Sequence, residues 1–152
     1  MTVTHLFEAH VSVGDLDRSV AFYRAVVGLE LAHVTDDRRA AFLWIGSHGQ
    51  AMLGLWAAGS APQKTTVHVA FASSLDDVLR APAALRAQGV TPLDFDNRPT
   101  DEPIVLAWMP AASVYFRDPD GHLLEYIAML PDKPRPDRGV VSWRLWQHEE
   151  SR

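Results

Sequence analysis

The stretch SVYFRDPDGHLLEYIAM, residues Ser113 to Met129, reads as a strand, a tight turn and a returning strand. Val114, Tyr115 and Phe116 suit a pleated strand. Asp118-Pro119-Asp120-Gly121 places proline and glycine where a chain reverses. Leu123 to Ala128 returns, with one carboxylate, Glu125, between Leu124 and Tyr126. A charge in the middle of an apolar strand is costly unless something pairs with it. Glu125 therefore either faces solvent or binds a cation.

Working outward, the same grammar appears twice. Leu6 to Val13 alternates, with Leu6, Glu8, His10 and Ser12 on one face and Phe7, Ala9, Val11 and Val13 on the other. Gly14-Asp15-Leu16-Asp17 ends that strand and supplies a carboxylate helix cap. Ser19 to Val27 reads as a helix with Val20, Tyr23, Val26 and Val27 on one side, closed by Gly28. Strands follow at Leu29–Val34, Ala40–Ile45 and Ala51–Ala57. A proline-containing linker, Gly59 to Lys64, precedes the restart. Thr66 to Ala72 alternates, with Thr66, His68 and Ala70 on one face. Ser73 or Ser74 caps a helix running to Gln88, in which Pro82 predicts a kink or a split. Strands are expected at Val90–Leu93, Val105–Trp108, Val114–Arg117 and Leu123–Ala128.

The chain thus holds one βαβββ unit twice. The fold class is α+β: two tandem βαβββ modules, about 5–58 and 65–130, forming a cup-shaped curved mixed β-sheet with the helices outside. Residues 1–130 make one domain. Residues 131–152 are a C-terminal extension, proline-rich at first, whose Val140–Trp146 is apolar enough to pack again, across a dimer in one reading. A cup between repeats is a natural pocket.

Composition narrows the chemistry. The 152 residues contain no cysteine, so disulfides, thiolate metal sites and cysteine nucleophiles are excluded. Any metal must be held by histidine, carboxylate or water. A formal charge of -5 and a pI near 5.7 argue against nucleic acid. No apolar run approaches the ~18 residues of a membrane span. Met1 to Val13 lacks the basic start of a secretory signal, and a cytoplasmic location is expected.

Glu8, His10, His68 and Glu125 are the candidates that could point into the cup. Two imidazoles and two carboxylates would suit a divalent ion with open positions for substrate. Each has a plain alternative: His68 as a hydrogen-bonded core histidine, Glu8 as a solvated edge residue, His10 as a partner of a ligand. His5, His33, His48, His122 and His148 lie near turns or termini and read as surface residues. Trp44, Trp56 and Trp108 read as core or cup wall.

Three segments carry a resemblance: Val13-Gly14-Asp15-Leu16-Asp17-Arg18-Ser19-Val20-Ala21-Phe22-Tyr23 through Val27-Gly28-Leu29, then His68-Val69-Ala70-Phe71, then Tyr115 through Glu125. Together they resemble the vicinal oxygen chelate superfamily of glyoxalase I, fosfomycin-resistance enzymes, bleomycin-resistance proteins, methylmalonyl-CoA epimerases and extradiol dioxygenases. The resemblance implies a divalent ion (manganese, zinc, nickel or iron) held by His68, by Glu125 and by a residue of the first module. Counting back from Gly14 makes that residue Glu8. Aligning His10-Val11 with His68-Val69 makes it His10. Glyoxalase I enzymes carry a further carboxylate where this chain has Gly54, which leaves a three-ligand pattern closer to fosfomycin-resistance enzymes.

In this reading Glu8 or His10 could replace the missing base, Tyr115 hydrogen-bonds substrate, and Trp56 forms a pocket wall beside it. The implied reaction is a glyoxalase-like lyase or isomerase step, or thiol or water addition as in fosfomycin resistance. A metal-free drug-binding protein like the bleomycin-resistance members is the alternative, followed by a module with a vestigial site. An extradiol dioxygenase is less favoured. The partners expected are a small-molecule substrate or drug and a second copy in a homodimer, with no nucleic acid and no membrane.

Overall fold

The structure, a computed structural model, describes residues 5–57 and 66–150, apart from the side chains of 149 and 150. The Gly59–Lys64 linker lies outside the described residues. The chain forms two compact units, Met1–Val67 with Asp118–Gly121, and His68–Arg117 with His122–Arg152.

The first unit runs β1 (Glu8–Val13), α1 (Leu16–Ala25), β2 (Glu30–Val34), β3 (Ala40–Ile45) and β4 (Ala51–Ala57). Its sheet has the order β1-β4-β3-β2, with β1 parallel to β4 and the other pairs antiparallel. The alternation in β1 puts Val11 and Val13 in the core beside Leu43, Leu53 and Leu55, and leaves Glu8, His10 and Ser12 exposed. Helix α1 begins three residues before Ser19, because the Asp15 carboxylate accepts from Arg18 N–H at 3.0 Å. Its buried stripe is Leu16, Ser19 and Tyr23, with Val20, Val26 and Val27 only half-buried.

A fully buried serine on that stripe is explained by the turn Asp118–Gly121. Asp120 accepts from Ser19 Oγ at 3.2 Å, from Arg18 Nη2 at 2.9 Å and from Gly14 N–H at 3.1 Å. Asp118 accepts from the buried Tyr23 hydroxyl at 3.0 Å. Burial first, and then the Asp118 charge, raise the Tyr23 phenol far above its usual range. The turn itself closes through Gly121 N–H to Asp118 C=O at 3.0 Å, with Gly121 at φ +89°.

The second unit runs β5 (His68–Ala72), α2 (Leu75–Ala87), β6 (Ile104–Leu106), β7 (Ala111–Arg117), β8 (Leu123–Met129), β9 (Val140–Ser142) and α3 (Trp143–Glu150). Its sheet has the order β5-β8-β7-β6-β9. Ser74 caps α2, accepting from Asp77 N–H at 3.1 Å. The expected split at Pro82 does not occur. The helix is continuous, and the proline ring is buried on the stripe of Val78, Ala81 and Leu85. Packing there offsets the backbone bond that proline removes.

Two strand expectations are corrected in this unit, and the C-terminal segment is placed. Val90–Leu93 is not a strand. Val90 N–H is taken by Leu85 C=O at the end of α2, Pro92 has no N–H, and only Leu93 pairs, in a bridge to Tyr115. The strand expected at Val105–Trp108 is Ile104–Leu106. A turn from Leu106 to Met109 ends it and leaves Trp108 exposed. The C-terminal segment packs on its own unit: β9 pairs with β6, and Trp146 is buried under the guanidinium of Arg135, 4.3 Å from the ring centre. Trp146 is thus buried within its own unit, while Val140 and Leu145 of the same segment stay exposed.

Candidate functional site

In the first unit, β1 and β4 run side by side with Glu8 opposite Met52, His10 opposite Gly54 and Ser12 opposite Trp56. The exposed face of this sheet gathers Glu8, His10 and Trp56. His10 Nε2 lies 3.2 Å from Glu8 Oε1. The Trp56 indole N–H donates to His10 Nδ1 at 2.9 Å, and the two rings stack 5.8 Å apart. Phe42 meets His10 edge-on, and His33 stacks on Phe42.

Gly54 explains how the histidine fits. A Cβ at this position would lie 2.9 Å from His10 Cδ2 and 3.2 Å from Nε2. The imidazole lies across bare backbone, in the space a carboxylate side chain at 54 would need.

In the second unit, Tyr115 on β7 is opposite Glu125 on β8, and Ala70 on β5 is opposite the other edge of Glu125. Strand alternation carries His68, Ser113, Tyr115 and Glu125 to one face. His68 Nε2 is 3.0 Å from Glu125 Oε2. Glu125 is buried, at 4% exposed, and its Oε1 has no hydrogen-bond partner. Ser113 Oγ is likewise buried, and its hydroxyl and the Glu125 carboxylate both lie by the Tyr115 phenol. Ile104 and Leu106 pack with Tyr115, bordered by Leu93, Met109, Leu123 and Ile127, so the polar groups sit in an apolar frame. The rings of His68 and Phe95 both lie against Tyr115.

Burial first, and then the Glu125 charge, raise the Tyr115 phenol well above its usual range. It stays protonated near neutrality and can donate a hydrogen bond; it cannot serve as a base there.

The residues fit a cation. A buried carboxylate oxygen without a protein partner can be met by a cation or by an ordered water. Two ligand atoms each ~2.0–2.1 Å from one tetrahedral ion stand about 3.3 Å apart. The His68–Glu125 separation of 3.0 Å is near that value. Nitrogen and oxygen donors suit zinc, manganese, nickel or iron. Among the described residues no group of three or more His, Asp or Glu side chains gathers around one point. The second unit presents the pair His68–Glu125, and the first presents Glu8–His10 on its sheet and the exposed pair Glu30–His48.

Glu8 and His10 share one face of β1, and His68, Tyr115 and Glu125 share one face of the second sheet. One residue was misjudged from sequence: His122 is not on the surface but 2% exposed. Of the alternatives core or wall, exposures of 42% for Trp56 and 57% for Trp108 exclude only the core. Ser113 was missed, although its place two residues before Tyr115 on the same strand was a usable signal.

Comparison with known proteins bears on the family and the fold. The family model described as the Glyoxalase/Bleomycin resistance protein/Dioxygenase superfamily matches residues 2–126. A metallothiol transferase FosB of Lysinibacillus sphaericus is 31% identical over 134 residues, covering 83% of each chain. An integron cassette protein from the mobile metagenome of the Halifax Harbour sewage outfall, HFX_CASS4, superimposes with a TM-score of 0.69 at 31% identity, over 84% of this chain and all of that one. The fosfomycin resistance protein FosX of Listeria monocytogenes shares the fold, with a TM-score of 0.61 at 21% identity over 86% of this chain and 97% of its own.

Proposed function

We propose that this chain, which belongs to the glyoxalase/bleomycin resistance protein/dioxygenase superfamily, is a divalent-metal enzyme that engages a small substrate through two of its oxygens. The observation that carries the proposal is Glu125: a buried carboxylate with one oxygen on His68 and the other unpartnered. A buried glutamate with one oxygen left for a further partner is the donor the reading needs.

His68 and Glu125 would hold the ion; Glu8 and His10 are the corresponding candidates of the first unit. The bound ion would supply Lewis acidity, polarising a substrate oxygen and stabilising negative charge that develops on it. Tyr115 donates a hydrogen bond to a substrate oxygen, since its phenol keeps its proton. Ser113 offers a buried hydroxyl on the same strand face. The apolar frame of Ile104, Leu106 and Leu93 limits water around the reacting atoms.

Gly54 weighs between reactions. It removes the carboxylate a glyoxalase I would use as ligand and base, and His10 occupies that space. Thiol or water addition, as in fosfomycin resistance, is therefore preferred over a glyoxalase-like lyase or isomerase step. The similarity to FosB supports the same choice. A homodimer in the cytoplasm belongs to this reading; light scattering on purified protein tests the dimer. No described helix is long and apolar enough to cross a membrane.

A second reading is metal-free drug binding. The exposed rings of His33, His10 and Trp56, with the half-buried Phe42 between them, favour it, because a planar cationic drug could stack on them.

Elemental mass spectrometry of the purified protein separates the two. Near-stoichiometric metal, lost in both His68→Ala and Glu125→Ala, is the expected result. No metal, and no thermal stabilisation by manganese, zinc, nickel or iron(II), would overturn the enzyme reading.

A further inference from the structure

The polar segment from Asp94 to Pro103 and the strand β9 line one cleft in the second unit, with a volume of about 380 Å³. That lies within the ~300–1,000 Å³ of small-molecule sites. We propose that this cleft holds an arm of the substrate extending beyond its two chelated oxygens, and that the arm is apolar and carries no negative charge. That the arm belongs to a substrate rests on the metalloenzyme reading; the ligand preference of the cleft does not.

Two residues join the cleft to the candidate site. Phe95 and Ile104 are both in its wall, and both lie against Tyr115. The Phe95 ring meets the phenol ring edge-on, with 6.4 Å between centres. A ligand that reaches Tyr115 therefore enters the cleft by extending past Phe95.

Phe95 is 55% exposed, yet its backbone is tied down. Leu93 donates to Tyr115 C=O at 2.7 Å and accepts from Tyr115 N–H at 3.0 Å, which fixes the base of the turn to β7. Asp94 Oδ1 accepts from the N–H groups of Asp96 and Arg98 at 2.9 and 2.8 Å. Asn97, at φ +62°, accepts through Oδ1 from Arg117 Nη2 at 2.8 Å. Pro103, Ile104, Val140 and Val141 continue the apolar lining. Single exposed apolar residues are ordinary, but several gathered in a concavity mark a binding surface. Val140 and Val141 come from β9, beyond residues 2–126 that the family model matches. The C-terminal extension builds this wall by pairing β9 with β6.

Charge then selects among apolar ligands. Asp94, Asp96 and Glu102 line the same cleft, and among the described residues its lining includes no lysine or arginine. Arg98 pairs with Asp96 at 3.5 Å from outside that lining. A carboxylate or phosphate entering here would meet like charges and no cation, which disfavours it against a neutral or cationic arm of the same shape.

The first test needs no metal. Protein labelled with nitrogen-15 is titrated in chelator with phenethyl alcohol, phenethylamine and phenylacetate, which share a ring and differ in charge. The alcohol and the amine should shift the amide signals of Phe95, Val140 and Ser142, and phenylacetate should bind about 10-fold more weakly or not at all. Phe95→Ala should weaken the alcohol about 10-fold through lost apolar contact, and Val140→Trp should block it by filling the cleft. Asp96→Asn combined with Glu102→Gln should bring phenylacetate close to the alcohol. No shift at these amides with any probe, or phenylacetate binding as well as the alcohol, would overturn the assignment of the cleft.

The second test joins the cleft to the site. Zinc-loaded protein is titrated by calorimetry with acetohydroxamate and phenylacetohydroxamate, which chelate through the same two oxygens. The phenyl arm should tighten binding about 10-fold in the unaltered protein and give no gain in Val140→Trp. An equal gain in both would place the arm elsewhere and overturn the proposal. No zinc uptake would overturn the metalloenzyme reading and the substrate role with it, while the metal-free spectra would still decide what the cleft binds.

Discussion

Replacing Glu125 by methionine should make the metal-free protein more stable while abolishing metal binding. Glu125 is 4% exposed and its Oε1 has no partner. Leaving a buried polar atom unsatisfied costs about 1–3 kcal/mol, and more if it is charged. Methionine is unbranched, of similar length, and adapts to irregular apolar space. Leu123 and Ile127 on the same face already provide apolar neighbours. The substitution also removes the bond to His68. That side chain is 46% exposed, so the pair is screened by solvent and contributes at most about 1 kcal/mol. The net gain is about 1 kcal/mol, which for a domain of this size raises Tm by about 2–4 °C.

Calorimetry in chelator measures this first. Metal is then added. At 100 times its Kd an ion that binds only the folded state stabilises by about 2.7 kcal/mol. The unaltered protein should gain several degrees and Glu125→Met none. The reasoning fails if Glu125→Met melts below the unaltered protein in chelator, because Glu125 would then be a structural residue with a partner. A functional carboxylate that lowers stability is the expected trade-off at a site.

Further perturbations test the scaffold and the site. Tyr23→Phe should destabilise by about 1–3 kcal/mol in urea melts, since it deprives Asp118 of a buried donor. Trp146→Ala should cost about 3–5 kcal/mol, because a 1% exposed ring under Arg135 leaves a cavity; no change would mean the C-terminal helix does not dock. Burial pushes Tyr126 up to about 12, above the ~10 of an unfolded phenol. Its contribution to stability is complete below about pH 10 and is lost as pH rises through about 12. Tyr126→Phe should therefore flatten the alkaline limb of a Tm-against-pH curve. Gly54→Ala should displace the His10 ring, whose Cδ2 lies 2.9 Å from the added carbon; disappearance of the Trp56 indole N–H signal of the bonded state would report it.

Local pattern made much of the fold legible. Alternation in Leu6–Val13 and Thr66–Ala72 assigned the faces of Glu8, His10 and His68 correctly, because a strand has a fixed period of two. Asp118-Pro119-Asp120-Gly121 announced its turn through backbone preferences that need no tertiary context. Pattern did not reveal that the same two aspartates clamp α1 through Tyr23, Arg18 and Ser19, since those partners are about a hundred residues away in sequence. His122 was misjudged for a related reason: residues beside turns are usually exposed, and only packing buries this one.

By itself, the sequence determined the repeated βαβββ order, the absence of thiol chemistry, the family, and the strand faces that carry Glu8, His10, His68, Tyr115 and Glu125. Each of these depends on residue type or on short-range periodicity. Tertiary structure alone decided that Glu125 is buried with an oxygen unpartnered, that Val140–Trp146 covers its own sheet edge, and that His10 lies on Gly54 with Nδ1 against Trp56. Burial, hydrogen-bond partners and ring contacts are set by residues brought together across strands, and no window along the chain contains both members of such a pair.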